Sequence, residues 1–355
     1  MKRFLSAFLL FFTLQNNCVA QFKKQLDKLC VDCNRSASDS DKLVALGKLA
    51  NLYYTYKFNR EADSVLHEQL LLADLSDKNT LLLPALFGDA IMNISSSTTS
   101  EAFDKTVDFI QKGISYAKSL SNYEYMALGY TRMANILRKR GQNDNALSNA
   151  LLALAILPNI KTDSVKAVIY IELGDTYSLK GEAVSACRNY NNAFDIAIKI
   201  KSIPLQSVIY HCFSEMYYGF GEMDAVKDEL KKSLALNKEY GYSEGLVKDY
   251  FDLARRTNEK LYIDKALKLS DSLHLFKYKF DAKAMMLAYF YVVEKNSDKA
   301  LRYLESETDL KQSFLNIGIA NYYTVKGNIY FYSGKPDSAL KYFKLAENDY
   351  MKNFD

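Results

Sequence analysis

From Asp41 onward apolar residues recur at helical spacing, interrupted by short polar breaks at Asp77–Thr80, Asn159–Asp163, Ser202–Pro204 and Tyr240–Gly245. No stretch shows the alternation of a strand series, so the pattern predicts an all-α chain. Within it one helix-turn-helix unit is written twice, forty residues apart. Tyr130, Ala134, Leu137, Gly141, Ala146, Ala150 and Ala153 return as Tyr170, Gly174, Tyr177, Gly181, Ala186, Tyr190 and Ala193. Counted from the small residue of each first helix, a second small residue follows at +12 and packing residues at +16 and +19. These offsets describe two antiparallel helices crossing closely, with an aromatic four residues earlier turned toward the next unit. Glycines inside helices, Gly174 and Gly327, mark the tightest approach, since each costs about 1 kcal/mol relative to alanine. Gly141, Gly181, Gly221 and Gly334 are placed to end their first helices.

The arrangement resembles the tetratricopeptide repeat, a 34-residue helix pair with an aromatic, a small residue and an alanine at such offsets. The unit running from Tyr323 and Gly327 through Tyr330, Gly334, Ala339, Phe343 and Ala346 matches it well. Further anchors pair Ala50 with Ala62, Ser214 with Val226, Ala254 with Ala266 and Ala288 with Ala300, while Tyr210 and Tyr250 continue the aromatic series. A poorer unit has Thr106, Ile110 and Gly113 in its second helix and a Ser95–Ser100 run that reads as a loop. The resemblance implies a right-handed superhelical α-solenoid of about eight repeats over residues 42–355. Between Ala134 and Ala254 the period of 40 exceeds 34, so helices or inter-unit loops must absorb the difference. Pro158 alone stands at the family's unit-ending place, and Pro336 suits a first helical turn.

Upstream, residues 1–20 read as a secretory signal peptide: Lys2 and Arg3, an apolar run from Phe4 to Leu14, then Cys18-Val19-Ala20 before Gln21. Lipidation at Cys18 is the alternative. Such a leader makes an exported, periplasmic protein the expectation, with the extracellular part of a membrane protein as another. Residues 21–41 form a polar leader holding Cys30 and Cys33. Removing Lys2 and Arg3 takes the formal charge from +4 to +2, which gives no electrostatic case for nucleic acid. Arg138-Lys139-Arg140 reads as a solvated helix end.

Motifs with chemical potential are few. His211 and Glu215 share a helical face that a metal could use, though a plain surface pair is the simpler reading. Gly241-Tyr242-Ser243-Glu244-Gly245 has the Gly-x-Ser-x-Gly form of a hydrolase elbow, but it follows a helix instead of a strand, so Ser243 is expected as a helix N-cap. Cys30-Val31-Asp32-Cys33 lacks the βαβ setting of redox chemistry; a structural disulfide remains open. Cys187 and Cys212 are expected to pack as small apolar residues. With no catalytic set and no phosphate-cradling loop, neither an enzyme nor a small-molecule cofactor is expected.

In each first helix the residues at −3, +1 and +4 from the anchor share a face distinct from the packing face. That stripe reads Thr131, Asn135, Arg138; Ile171, Asp175, Ser178; His211, Glu215, Tyr218; Phe251, Arg255, Asn258; Met285, Tyr289, Val292; and Thr324, Asn328, Phe331. In tetratricopeptide proteins the corresponding stripe lines the groove that receives a peptide, and the resemblance implies a protein or peptide partner here. Thr131 stands where the carboxylate clamp of chaperone-binding members needs lysine, which argues against that partner class. The resemblance extends to the secreted repeat ectodomains of bacterial membrane regulators. Asp355 follows directly on a good repeat without a covering helix, so a longer regulator, or self-association through the last repeat, is an expectation as well.

Overall fold

The computed structural model describes residues 18–36, 38–55, 62, 64–69, 72, 100–273, 275–317 and 319–352. The predicted leader up to residue 17, the break at Asp77–Thr80, residues 95–99 of the predicted Ser95–Ser100 loop and the first helix of the second repeat lie outside them; Ser100 itself is the first residue of a helix. Sixteen α-helices and no strand are found among the described residues. The chain divides into two bodies of contacts, residues 19–223 and 224–355.

The first body contains α1 (Cys18–Arg35), α2 (Asp39–Thr55), α3 (Ser100–Ser119), α4 (Tyr123–Lys139), α5 (Asn143–Ala155), α6 (Asp163–Leu179), α7 (Ala183–Lys199) and α8 (Ile203–Gly219). α1 carries much of the polar leader. Ser38 then caps α2, its hydroxyl oxygen accepting the Asp41 N–H at 3.1 Å. Helices α6 and α7 are 17 residues each, and a three-residue joint follows each of them. In this repeat the period of forty is met by long helices with short joints, whereas in the one before it α5 has 13 residues and the joint from Ile156 to Thr162, with the 3-10 turn Leu157–Asn159, makes up the difference.

The joints after α6 and α7 close the same way. After α6 the Gly181 N–H donates to the Ser178 carbonyl at 3.0 Å and the Glu182 N–H to the Tyr177 carbonyl at 2.9 Å, the paired bonds of a Schellman motif. Gly181 holds φ at +79°, a conformation an L side chain resists. The joint after α7 has the same bonds, Lys201 to Ile198 and Ser202 to Ala197, both at 2.9 Å. There a lysine, Lys201, takes the left-handed position at φ +53°.

The anchors sit in the interior: Ala134, Ala146, Ala150, Ala153, Ala186 and Ala193 are wholly buried. What occupies +16 depends on the anchor. Beside Ala134 stands Ala150, whereas a Cβ added to Gly174 would stand 2.5 Å from Cδ1 of Tyr190. Gly327 has the same relation to Phe343, again 2.5 Å from Cδ1. Glycine thus makes room for a ring from the second helix. Successive cores are linked by shared residues: Leu137 packs against both the α3–α4 core and the α4–α6 core, and Tyr170 and Tyr177 against both that core and the α6–α8 core. Within the first body each of these cores thus runs into the next, as a solenoid requires.

The second body contains α9 (Met223–Glu239), α10 (Ser243–Thr257), α11 (Lys260–Ser272), α12 (Phe276–Ala288), α13 (Ser297–Ser306), α14 (Thr308–Ile317), α15 (Ile319–Tyr332) and α16 (Pro336–Lys352). Pro336 opens α16 as expected. Two departures from a plain hairpin occur here. α12 ends in a π turn, Tyr289–Val293, whose Glu294 N–H reaches back to the Tyr289 carbonyl at 3.1 Å. The second helix of that repeat breaks at Glu307 into α13 and α14, where the buried Lys283 ammonium holds the Glu307 carboxylate at 2.7 Å.

Two expectations are corrected. Ser243 is the first residue of α10 and not its cap; Tyr242 occupies the N-cap position without a side-chain bond. The second glycine of that motif, Gly245, is buried against the Asn237 amide, so Gly-x-Ser-x-Gly here records a turn and a close approach. Arg138-Lys139-Arg140 is a solvated end only in part: Lys139 and Arg140 are exposed, Arg140 lying 4.7 Å over the Phe103 ring, but Arg138 is ion-paired and half-buried.

Candidate functional site

The forty-residue period places Arg138, four residues past its anchor, beside Glu172 and Asp175 of the following repeat. Arg138 donates from Nε to Glu172 Oε1 at 3.1 Å and from Nη2 to Asp175 Oδ2 at 2.9 Å. Asn135, one turn earlier on α4, donates from Nδ2 to Glu172 Oε2 at 3.3 Å. From α7 the Tyr190 hydroxyl donates to Asp175 Oδ1 at 2.8 Å. One guanidinium therefore serves two carboxylates in a seam where the side chains of Arg138, Glu172 and Asp175 are only 18%, 8% and 22% exposed.

Burial governs the electrostatics. It pushes the Glu172 carboxyl up to about 7, against the pull of Arg138 and with Asp175 adding to the rise. The Asp175 carboxyl is also raised by burial, which Arg138 and the Tyr190 hydroxyl oppose. Burial, then the Asp175 charge, lifts the Tyr190 phenol far above its ordinary value. For Arg138 burial alone would lower the pKa, but the two carboxylates outweigh it and hold it above the ordinary value.

The other stripe residues of the first body are divided. Thr131 is buried, its hydroxyl donating to the Leu128 carbonyl at 2.9 Å, and His211 is buried as well. Ile171 and Ser178 are half-buried; Glu215 and Tyr218 are exposed. In the second body Phe251 meets Tyr278 edge to face at 5.9 Å and Arg255 donates to Asp252 at 3.2 Å. Asn258 ends α10 in the left-handed conformation at φ +56°. Met285 and Tyr289 pack against the core, Val292 is exposed in the π turn, and the Thr324 hydroxyl donates to the Ala320 carbonyl at 2.9 Å. Asn328 is half-buried and Phe331 exposed.

Glu172 is the residue the stripe rule misses, lying at −2 from its anchor. Its counterpart in the second body, Asp252, is buried between Lys248 and Arg255, each at 3.2 Å. A signal existed in the sequence for each: for Glu172 an acid at −2 with a base at +4 one repeat earlier, and for Asp252 an acid at −2 with bases three and four residues away on its own helix.

Elsewhere, Cys30 and Cys33 lie on α1 as free thiols. Burial, the first cause in both, raises their pKa, that of Cys33 to about 11, the reverse of what makes a thiolate nucleophile. Cys187 and Cys212 pack in the α6–α8 core, with Cys187 Sγ 3.7 Å from Met216 Sδ. Among the described residues no group of three His, Cys, Asp or Glu side chains is placed to hold a metal ion, and no helix is long and apolar enough to cross a membrane.

No protein-family model matches the sequence, and no curated protein sequence matches it either. Solved structures do resemble the fold. A signal transduction ATPase with numerous domains from Pyrococcus horikoshii, described as having a tetratricopeptide repeat sensor, superposes with a TM-score of 0.55 at 15% identity, over 97% of this chain and 54% of its own. Aspartyl phosphate phosphatase F from Bacillus subtilis gives a TM-score of 0.50 at 13% identity, over 80% of this chain and 74% of its own. The fold is thus that of a tetratricopeptide-like helical-repeat protein.

Proposed function

We propose that the chain is a non-enzymatic scaffold of the bacterial cell envelope that binds a segment of another protein along the face shared by α4, α6 and α8. The observation that carries this reading is the Asn135–Arg138–Glu172–Asp175 network. It holds polar side chains of consecutive first helices in set positions, with Glu215 near Asp175 and Tyr218 exposed one turn further along α8. A face already ordered in the free protein loses less side-chain entropy on binding. An exposed tyrosine beside it supplies the kind of anchor that dominates interface energies. Export rests on the leader sequence, and the absence of catalysis on a cluster in which the basic group is consumed by two acids.

Photo-crosslinking tests the face. A crosslinker at Tyr218 should capture a partner from envelope extract, and one at Val184, 76% exposed on the second helix α7, should not. Asn135→Ala with Tyr218→Ala should weaken capture about ten-fold or more. Capture from Val184 alone, or full binding by the double variant, would refute the assignment.

A second reading, the sensory ectodomain of a membrane regulator, uses the same face. It is supported by the regulator-like leader and repeats, and by the Pyrococcus protein whose repeats are described as a sensor. It requires a membrane-spanning segment encoded beyond Asp355; a stop codon directly after it would remove this reading.

A further inference from the structure

Over Arg138, Glu172 and Asp175 the cluster carries one more negative charge than positive, since one guanidinium faces two carboxylates. Glu215 on α8 lies close enough to Asp175 to raise it further. Among the groups in and around the cluster are, on α4, Arg138 and the more distant Lys139; on α6, Asp175; on α7, Tyr190; and on α8, Cys212 and Glu215, with the buried His211 next to Cys212 in the sequence. The single charged residue of α5, Asp144, pairs with Lys180 at the turn. A surplus charge in so dry a seam is relieved most cheaply by a proton.

The geometry indicates which carboxylate takes it. Asp175 accepts two short bonds, from Arg138 at 2.9 Å and Tyr190 at 2.8 Å. Glu172 has the longer pair, 3.1 Å from Arg138 and 3.3 Å from the neutral Asn135 amide. Oε2 of Glu172 is therefore the weakest-held site of negative charge.

We propose that partner capture on this face is proton-linked, with Glu172 taking up the proton and Asn135 passing its state to the groove. Ionised Glu172 accepts from Asn135 Nδ2. Protonated at Oε2, it becomes a donor, and the Asn135 amide must turn over to accept through Oδ1. The amide then directs its NH2 away from Glu172, where a partner's carbonyl oxygen can accept from it. In the ionised state Asn135 offers Oδ1 there and suits a partner's N–H. The cluster's charge changes in the same step, from a net −1 over Arg138, Glu172 and Asp175 to zero. The elevated titration of Glu172 near neutrality, caused first by burial, agrees with this assignment. This inference rests on the binding reading above, which concerns the same face.

In the full chain, the Glu172 carboxyl carbon and the Asn135 side-chain amide would be followed by NMR from about pH 5 to about pH 9. Both signals should move with a common midpoint within about one unit of 7. Glu172→Gln should identify the carboxyl signal and leave the Asn135 amide insensitive to pH; if it does not fold, Asn135→Ala identifies the amide instead. A Glu172 midpoint at the ordinary carboxylate value, or an Asn135 amide that stays still while Glu172 titrates, overturns the switch and leaves the binding reading intact. Affinity for the partner captured at Tyr218 should change about five-fold or more between pH 6 and pH 8, and not at all in Glu172→Gln. Titration as described with equal affinity at both values overturns the linkage. Capture from Val184 alone defeats the binding reading itself.

Discussion

Glu172 has an energetic signature that needs no partner. Its carboxyl titrates higher in the folded chain, about 7, than the 4.5 of an exposed glutamate, because ionising it in the seam costs desolvation. The stability it contributes is thus fully present below about pH 4.5 and is lost as pH rises through about 7, by on the order of 3 kcal/mol in total. Unfolding of the first body monitored at pH 5 and pH 8 should show this decline in the wild type and a flatter profile in Glu172→Gln. Beside it, Gly174 and Tyr190 form a pair in which the glycine exists for the ring. Gly174→Ala would ordinarily favour the helix by about 1 kcal/mol, but here the methyl meets the ring and the change should destabilise by about 1–3 kcal/mol in a denaturant titration. Glu172 itself escapes a reading of one helix at a time. An isolated acid in a helix looks like a solvated residue, and its partners, Arg138 and Asn135, stand 34 and 37 residues earlier.

At the scale of elements, the joints show how the repeat was legible and where it was not. Gly181 announces its left-handed turn in the sequence; Lys201 and Ser121, at φ +53° and +51°, adopt the same conformation with no glycine to signal it. An L residue there carries strain on the order of 1–2 kcal/mol, only partly offset by the entropy a glycine adds to the unfolded chain. Lys201→Gly should therefore raise stability by about 0.5–1 kcal/mol, and Gly181→Ala should lower it by about 1 kcal/mol, both measurable by thermal melts. The π turn and the break at Glu307 were equally hidden. Tyr289–Val293 is an unbroken run of aromatic and β-branched residues, weak helix formers that give no sign of a π turn, and no proline or glycine stands near Glu307. The break is held by the Lys283 ion pair, a contact 24 residues away that periodicity cannot reveal.

For the whole molecule, the repeat register was readable because small anchors at fixed offsets leave a trace at every turn, and nearly all of them are buried; Ala288, next to the π turn, is half-buried. The stripe was less readable, since helical phase alone assigned Thr131 and His211 to an open face that the structure closes over. Units that touch only their neighbours unfold locally, so damage should stay local. Gly327→Ala, which drives a methyl into Phe343, should accelerate hydrogen exchange in α15 and α16 while amides of α4 to α7 keep their protection. Loss of protection along the entire chain would mean a single cooperative unit instead.

The Gly174–Tyr190 and Gly327–Phe343 couples, set against Ala134 with Ala150, carry a historical implication. Each crossing has a fixed allowance of volume that two positions sixteen apart must share. Descendants of a common ancestor should therefore trade bulk between those two columns, enlarging one only where the other has shrunk. An alignment of relatives in which they vary independently would show that the crossings yield more readily than this packing suggests.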